Sequence, residues 1–149
     1  MKDTDHLKEM IRELLGSQKL SVLATQMQGQ PYTTLIAFAA TEDLKYLLFA
    51  TNRATRKYAN IMADHRVALL IDSRANLETY FTQAAAVTSL GSAWEVHGQE
   101  RQRYLSLYLQ KHPYLEDFVS SPDTALLRLQ VDKYLLVTRF QEVRELSLS

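Results

Sequence analysis

Short segments in which apolar and polar residues alternate recur along this chain and limit the folds it can adopt. Alternation with a period of two is typical of β-strands that bury one face. The first three segments lie at 19–25, 32–39 and 44–50, separated by the turns Gln28-Gly29-Gln30-Pro31 and Thr41-Glu42-Asp43. Because such short connections join antiparallel neighbours, these segments predict an antiparallel meander.

Strand and helix patterns then alternate along the rest of the sequence. Further strands are predicted at 66–71, 84–96, 125–131 and 134–140, and helices at 5–15, 58–64, 99–110 and 114–119. Gly91 lies inside a long strand and predicts a bend there, and residues 73–83 are predicted to form a loop. We therefore predict a mainly β fold with added helices (α+β), in which residues 19–140 form an antiparallel barrel. A length of 149 residues suits a single domain, 1–149.

The N-terminal segment has the spacing of an amphipathic helix. Its apolar residues recur three and four positions apart, at Leu7, Met10, Ile11, Leu14 and Leu15. Asp3, Thr4 or Asp5 is expected to cap its start, and Gly16 is expected to end it. We interpret this segment as a packing helix.

Composition excludes several kinds of functional site. The chain has no Cys, which excludes disulfides, a thiolate nucleophile and Cys-ligated zinc. Its 4 glycines form neither a dinucleotide-binding fingerprint nor a P-loop. The 4 histidines form no close pair, so we predict no metal site.

Charge and hydropathy indicate which partners to expect. The 17 Lys and Arg residues balance the 17 Asp and Glu residues, which gives no general electrostatic attraction for nucleic acid. The N-terminus has no apolar signal-peptide core, and no apolar run is long enough to cross a bilayer. We expect a cytoplasmic protein that binds neither nucleic acid nor membrane.

Residues 51–57, between a strand end and a predicted helix start, are the most informative segment for function. Thr51, Asn52 and Thr55 are good helix caps. The first N–H groups of a helix have no partners within it, and the helix dipole favours an anion beside them. Arg56 and Lys57 add two cations there, so the segment can form a cradle for one phosphate group. The alternative is a capped surface helix whose charges are simply solvated.

A resemblance to a known family gives this segment a more definite interpretation. Over residues 20–95 the chain resembles the pyridoxamine 5′-phosphate oxidase-like family, the FMN-binding split β-barrels. The segments that carry the resemblance occur in the family's order: Gly29-Gln30-Pro31-Tyr32, Phe49-Ala50-Thr51-Asn52, Thr55-Arg56-Lys57, Asn60, Arg66-Val67-Ala68-Leu69-Leu70 and Gly91-Ser92-Ala93-Trp94-Glu95.

The resemblance implies a split antiparallel barrel that forms a homodimer, with FMN bound at the dimer interface. Arg56 and Lys57, preceded by Thr55, would hold the FMN phosphate. Residues 34–36 (Thr34, Leu35 and Ile36) would run beside the flavin ring, partly through backbone groups. Ala50 and Thr51 would add backbone or hydroxyl contacts.

The chain also departs from the true pyridoxamine phosphate oxidases. Their second strand carries an arginine that helps to hold FMN and a lysine that reaches the substrate phosphate, where this sequence has Thr34 and Ala39. Ala86 replaces a family glutamine, with Gln83 nearby, and residues 142–149 lack the R-x-W…R-L pattern of the oxidases' closing arm. Hydrogen bonds to charged groups contribute about 1.5–3 kcal/mol each, so these losses predict that vitamin B6 phosphates are not the substrate.

Three functions remain open at this point. The first is an FMN-dependent oxidoreductase that acts on an unidentified small molecule. Its proton donor is unknown: Tyr32, Tyr80 and His97 could donate a proton, but the sequence favours a packing role for each. The second is a noncatalytic flavin- or haem-binding protein, for which His65, His97 and His112 are the available imidazoles. The third is a reductase that uses the deazaflavin F420, whose more anionic tail calls for a broader basic groove than Arg53, Arg56 and Lys57 provide.

Overall fold

The structure is a computed structural model that describes residues 2–73, 84–138 and 142–148, and within these ranges the chain forms seven strands and four α-helices. The strands are β1 (Leu20–Met27), β2 (Gln30–Ala40), β3 (Tyr46–Asn52), β4 (Arg66–Asp72), β5 (Ala85–Glu95), β6 (Thr124–Thr138) and β7 (Glu142–Ser147). The helices are α1 (Lys2–Ser17), α2 (Arg56–Ala63), α3 (Gly98–Lys111) and α4 (Glu116–Ser120), with a 3₁₀ turn at Pro113–Leu115. Apart from Ser73, the predicted loop at 73–83 lies outside the described residues.

The strands form a closed antiparallel barrel. Their order is β3-β2-β1-β4-β5-β6, and β6 pairs back onto β3. The first hairpin turns at Gln28 and Gly29, which both have positive φ, as a two-residue turn of this kind requires. Gln30 and Pro31, which the sequence placed in the turn, begin β2 instead. The predicted meander and the split-barrel fold are confirmed.

The two predicted closing strands are in fact one continuous strand, β6. The prediction of a break between 131 and 134 was wrong because Asp132 is accommodated as a bulge, at which the β5 register shifts from Lys133 to Val131. Gly91 stands opposite this bulge, and a Cβ atom there would lie 2.0 Å from the Gln130 carbonyl oxygen. The predicted irregularity at Gly91 is therefore confirmed. The second half of β6 also pairs with β7, a strand that the sequence analysis missed.

Helix α1 differs from the prediction at both ends. It begins at Lys2, so Asp3 and Asp5 lie in its first turn rather than at its cap, and it continues through Gly16 to Ser17. The last turn persists because its carbonyls find donors: the Ser17 hydroxyl donates to Leu14 and the Lys111 ammonium donates to Leu15. The predicted apolar face is confirmed as part of the barrel core, in which Leu7, Ile11, Leu14 and Leu15 are buried.

The buried residues form two clusters, one inside the barrel and one on its outer surface. Leu23, Phe38, Phe49 and Leu69 belong to the interior cluster. The outer cluster lies beneath α3 and α4, where Tyr104, Tyr108 and Val119 cover Ala39, Leu48, Ala50 and Leu126. None of the helices that the structure describes has both the length and the apolar character needed to cross a bilayer.

Candidate functional site

The barrel is split between β2 and β3, and most of the predicted site residues lie on the two sides of this split. The two strands pair only through Phe38–Ala40 of β2 and 47–49 of β3. Beyond these pairs, β2 continues along β1 while Ala50 to Asn52 pair only with β6. Helix α2 begins four residues after β3 ends. The split therefore leaves backbone edges of both strands available near the start of α2.

Helix α3 closes one end of the split with two buried side chains. The Tyr108 hydroxyl donates to the Ala37 carbonyl at 3.1 Å, and His112 Nε2 donates to the Phe38 carbonyl at 2.7 Å. Burial raises the pKa of Tyr108, so the phenol keeps its proton. These contacts provide hydrogen-bond donors for two consecutive carbonyls of β2 at the edge of the split.

A network of short hydrogen bonds shapes the turn between β3 and α2. Thr55 is the N-cap of α2: its hydroxyl oxygen accepts from the Tyr58 N–H at 3.3 Å and its hydroxyl proton goes to the Asn52 carbonyl at 2.9 Å. Thr51 Oγ1 lies 3.0 Å from Thr55 Oγ1, and Asn52 Oδ1 accepts from the Ala54 N–H at 2.8 Å. The predicted capping role of Thr55 is confirmed, whereas Thr51 and Asn52 act by fixing the turn that precedes the helix.

Arg56 and Lys57 carry positive charges that nothing in the described part of the chain neutralises. Arg56 is exposed, and its guanidinium carbon lies 5.4 Å from the centre of the Tyr32 ring in a cation–π contact. Lys57 is half-buried, and this burial lowers the pKa of its ammonium group. Both cations stand on the first turn of α2, where the helix dipole adds positive potential.

Arg53, by contrast, is neutralised within the chain. Its Nη2 lies 2.5 Å from Glu95 Oε2, and its Nη1 donates to the Pro122 carbonyl at 2.8 Å. Glu95 Oε1 also accepts from the Tyr58 hydroxyl at 2.6 Å. Burial alone would raise the pKa of Glu95, but the hydrogen bonds from Arg53 and Tyr58 hold it below its ordinary value. Grouping Arg53 with Arg56 and Lys57 as one basic cluster was therefore wrong.

Sequence reasoning missed the role of Glu95, although a signal for it exists. Strand alternation places Glu95 on the same face of β5 as Gly91 and Ala93, which are both buried. An acidic residue in a buried register needs a hydrogen-bonded cation as a partner. The sequence pattern does not reveal that the partner is Arg53, because the two residues are 42 positions apart.

A cavity of about 550 Å³ lies between the β1–β2 hairpin and α2. This volume is within the range of about 300–1,000 Å³ that is usual for small-molecule sites. Arg56 and Tyr32 line it and contact each other, and the buried Asn60 is fixed beside it by a hydrogen bond from its amide to Thr25 Oγ1 at 3.0 Å. Its lining residues are Met27, Gln30, Tyr32, Ala54, Thr55, Arg56, Ala59 and Asn60.

The other predicted site residues are spread over different surfaces. Leu35 is 65% exposed on the outer face of β2, whereas Ile36 is buried inside the barrel and Thr34 is half-buried. Ala50 packs into the outer cluster beneath α3. The structure therefore brings Thr51, Thr55, Arg56 and Lys57 together at one turn, and leaves Leu35 and Ile36 on opposite faces of their strand.

The candidate imidazoles and proton donors have different environments. Both ring nitrogens of His112 are engaged, by the Phe38 carbonyl and by the Tyr114 hydroxyl at 2.9 Å. His65 Nδ1 bonds the Ala93 carbonyl at 2.9 Å, and its ring stacks on Trp94. His97 is exposed. Tyr80 and Gln83 lie outside the described residues. Within the described ranges, no cluster of His, Asp and Glu suitable for a metal ion occurs.

A comparison with known protein families shows which family the chain belongs to. The family model described as pyridoxamine 5′-phosphate oxidase matches residues 7–138. The chain belongs to the pyridoxamine 5′-phosphate oxidase family. This assignment confirms the resemblance seen in the segments around Thr55, Arg56 and Lys57.

Solved structures of other proteins share the fold of this family member at low sequence identity. A heme binding protein from Mycobacterium smegmatis is 16% identical with a TM-score of 0.83, over 94% of this chain and 57% of that one. An FAD-binding protein from Mesorhizobium loti is 16% identical with a TM-score of 0.71, over 86% and 90% of the two chains. A Clostridium acetobutylicum protein related to general stress protein 26 is 16% identical with a TM-score of 0.74, over 96% and 95%. A search of curated protein sequences finds no match.

Proposed function

We propose that this protein binds FMN and holds the FMN phosphate with Arg56, Lys57 and the first N–H groups of α2. The observation that carries the proposal is the pair of cations on the first turn of a capped helix, without an acidic partner in the described part of the chain. Membership of a family named for a phosphate-containing substrate, whose fold is shared by an FAD-binding protein, supports it.

The donor set fits a phosphate monoester. The guanidinium group of Arg56 offers paired N–H donors, the ammonium of Lys57 offers a point charge, and the helix start adds backbone donors. Glu95, a carboxylate hydrogen-bonded to Tyr58 of α2, is already neutralised by Arg53 and so adds little repulsion. A bound dianion would also favour the charged form of Lys57, which burial otherwise disfavours.

We further propose that two copies associate through the bare outer face of the barrel, the surface formed by Leu20, Val22, Leu35 and Leu70. Leu35 and Leu70 both stand opposite Val22 in the sheet, so the three side chains form a row. A groove of about 440 Å³ runs along this row. Leu20 is 56% exposed and Leu70 is 37% exposed, and a second copy of the same face would bury them. Leu35 would then lie at the seam, beside the β2 backbone proposed to contact the flavin.

When bound, the flavin would supply the hydride-transfer chemistry of an oxidoreductase that acts on a small molecule. The protein's own residues would bind and orient it: Arg56 and Lys57 would fix the phosphate, and the β2 edge at 34–36 would offer backbone groups to the ring. The Tyr32 ring contacts the Arg56 guanidinium at the cavity wall. Ala39 is 2% exposed beneath α3, so no cation replaces the oxidases' phosphate-binding lysine there, which supports a substrate other than vitamin B6 phosphates.

Haem is the second candidate because one imidazole has a suitable arrangement. His65 Nδ1 bonds the Ala93 carbonyl, as in many metal-ligating histidines, and Nε2 bonds no residue in the described ranges. His112 is unsuitable because both of its nitrogens are engaged. F420 has weaker support, since the ion pair between Arg53 and Glu95 removes one of the three cations that its longer anionic tail would use.

The proposal is tested by the visible spectrum of the purified protein and by titration with FMN, haem and F420. We expect saturable quenching of FMN fluorescence at about one FMN per chain, as one site per chain implies. Reduction of the bound flavin by a nicotinamide donor would indicate an oxidoreductase rather than a noncatalytic flavin carrier. A Soret band on addition of haem, without any binding of FMN, would contradict the proposal and favour a haem protein.

A further inference from the structure

We infer that Glu95 is a positioning residue, which fixes the start of α2 so that Arg56 and Lys57 converge on one phosphate group. The inference rests on the proposed FMN site and adds a residue that the family resemblance did not assign to it. It comes from the geometry of the Glu95 carboxylate, whose two oxygens are each bonded to a different segment around the turn.

The first segment is the loop before the helix. Glu95 Oε2 accepts from Arg53 Nη2 at 2.5 Å, while the Arg53 N–H donates to the Asp123 carbonyl at 3.0 Å and its Nη1 donates to the Pro122 carbonyl. Arg53 is therefore tied to β5 and to the residues before β6 at the same time. Its position is determined by three separate contacts.

The second segment is the helix itself. Glu95 Oε1 accepts from the Tyr58 hydroxyl at 2.6 Å. Tyr58 is also the residue whose backbone N–H is capped by Thr55, so the same residue ties α2 to the turn and to β5. Arg56 and Lys57 lie between Arg53 and Tyr58 in the sequence, so both ends of the segment that presents them are fixed to one carboxylate.

The burial of the carboxylate makes this connection strong. The Glu95 side chain is 9% exposed, and a buried carboxylate forms stronger hydrogen bonds than one in water. A positioning role and a purely electrostatic role predict opposite changes in FMN affinity when the Glu95 carboxylate is removed. Loss of a nearby negative charge would strengthen the binding of a phosphate dianion, whereas loss of positioning would weaken it.

The test compares the affinities of Glu95→Ala, Glu95→Gln and the wild type for FMN and for riboflavin, which lacks the phosphate. We expect Glu95→Ala to weaken FMN binding about tenfold, which is the effect of losing one hydrogen bond to a charged group, and to change riboflavin binding less than about twofold. Glu95→Gln keeps an acceptor for Arg53 or Tyr58 and should recover most of the affinity. Glu100→Ala is the matched control, since it removes a partly buried ion pair at 3.1 Å between Glu100 of α3 and Arg128 of β6, away from α2.

Amide hydrogen exchange of the ligand-free protein gives a readout that does not depend on the flavin. Glu95→Ala should speed the exchange of the α2 amides Tyr58 and Ala59 about tenfold relative to amides of α3, because the helix start is no longer fixed. Tyr58→Phe, which removes one of the two bonds and keeps the ring, should give a smaller change in the same direction. It takes the place of Glu95→Ala if that variant does not fold.

Unchanged or stronger FMN binding by Glu95→Ala, together with unchanged exchange in α2, would overturn the inference. If the wild type does not bind FMN, the proposed function fails, and the exchange experiment alone decides whether Glu95 fixes α2.

Discussion

The outer surface of the barrel has two apolar faces, and the described residues cover one of them. On the covered face, Ala39, Leu48 and Leu126 are buried beneath α3 and α4. On the bare outer face, Leu35 is 65% exposed and Leu70 is 37% exposed. The same strand, β2, contributes Ala39 to the first face and Leu35 to the second.

The boundary between the two faces falls at the split in the barrel. Tyr108 of α3 and His112, the residue that follows this helix, bond to the carbonyls of Ala37 and Phe38. The predicted cofactor residues on β2 begin where this cover ends. This difference is the basis of the proposal that a second copy covers the bare outer face and completes the site.

On the covered face, truncation of a buried ring should cause the greatest loss of stability. Tyr108→Ala should lower the free energy of unfolding by about 3–5 kcal/mol, because it removes a fully buried ring and its bond to the Ala37 carbonyl. Urea unfolding followed by circular dichroism measures the change. Phe118→Ala, at a 41% exposed ring on α4, is the control and should cost less than about 1 kcal/mol. Equal losses in both variants would mean that α3 is not the element that stabilises this face.

The next prediction concerns the association of two copies through the bare outer face. Leu35→Glu should leave the fold intact and prevent association, because it places a charge in the centre of the proposed contact between copies. Sedimentation velocity should show a dimer for the wild type and a monomer for the variant. Phe118→Glu, a matched change on the helical side, should remain dimeric. A monomeric wild type, or a dimeric Leu35→Glu variant, would contradict the proposal that two copies associate through the bare outer face.

A smaller effect is expected from Lys111 on the covered face, where the free energy of unfolding should depend on pH. Burial lowers the pKa of Lys111 from 10.5 to about 8, although solvent still reaches part of the side chain. The unfolded chain then holds more protons between pH 8 and 10.5, so stability should rise with pH across that interval, by about 1 kcal/mol after allowance for screening. Comparison of thermal unfolding with Lys111→Met isolates this contribution, since the variant should lack the rise. An identical pH profile for both proteins would contradict it.

Periodicity predicted most of the fold but little of the turn at the site. The strands around Leu23 and Leu69 followed from alternation, and Thr55 was identified as a cap, because both depend on residues close in sequence. The continuity of β6 was missed because the bulge at Asp132 depends on pairing with β5. The separation of Arg53 from Arg56 was missed because it depends on Glu95, a distant residue. Contacts between distant segments leave no local pattern.

The central claim, that Arg56 and Lys57 bind the FMN phosphate, is tested most directly by one comparison of affinities. Dissociation constants for FMN and riboflavin are measured by fluorescence quenching for the wild type and for Arg56→Ala with Lys57→Ala. Arg66→Ala with Lys133→Ala removes the same charge elsewhere and serves as the control. We predict that the first variant weakens FMN binding about 100-fold or more and barely changes riboflavin binding, while the control binds both as the wild type does. An unchanged preference for FMN over riboflavin in the first variant would contradict the claim.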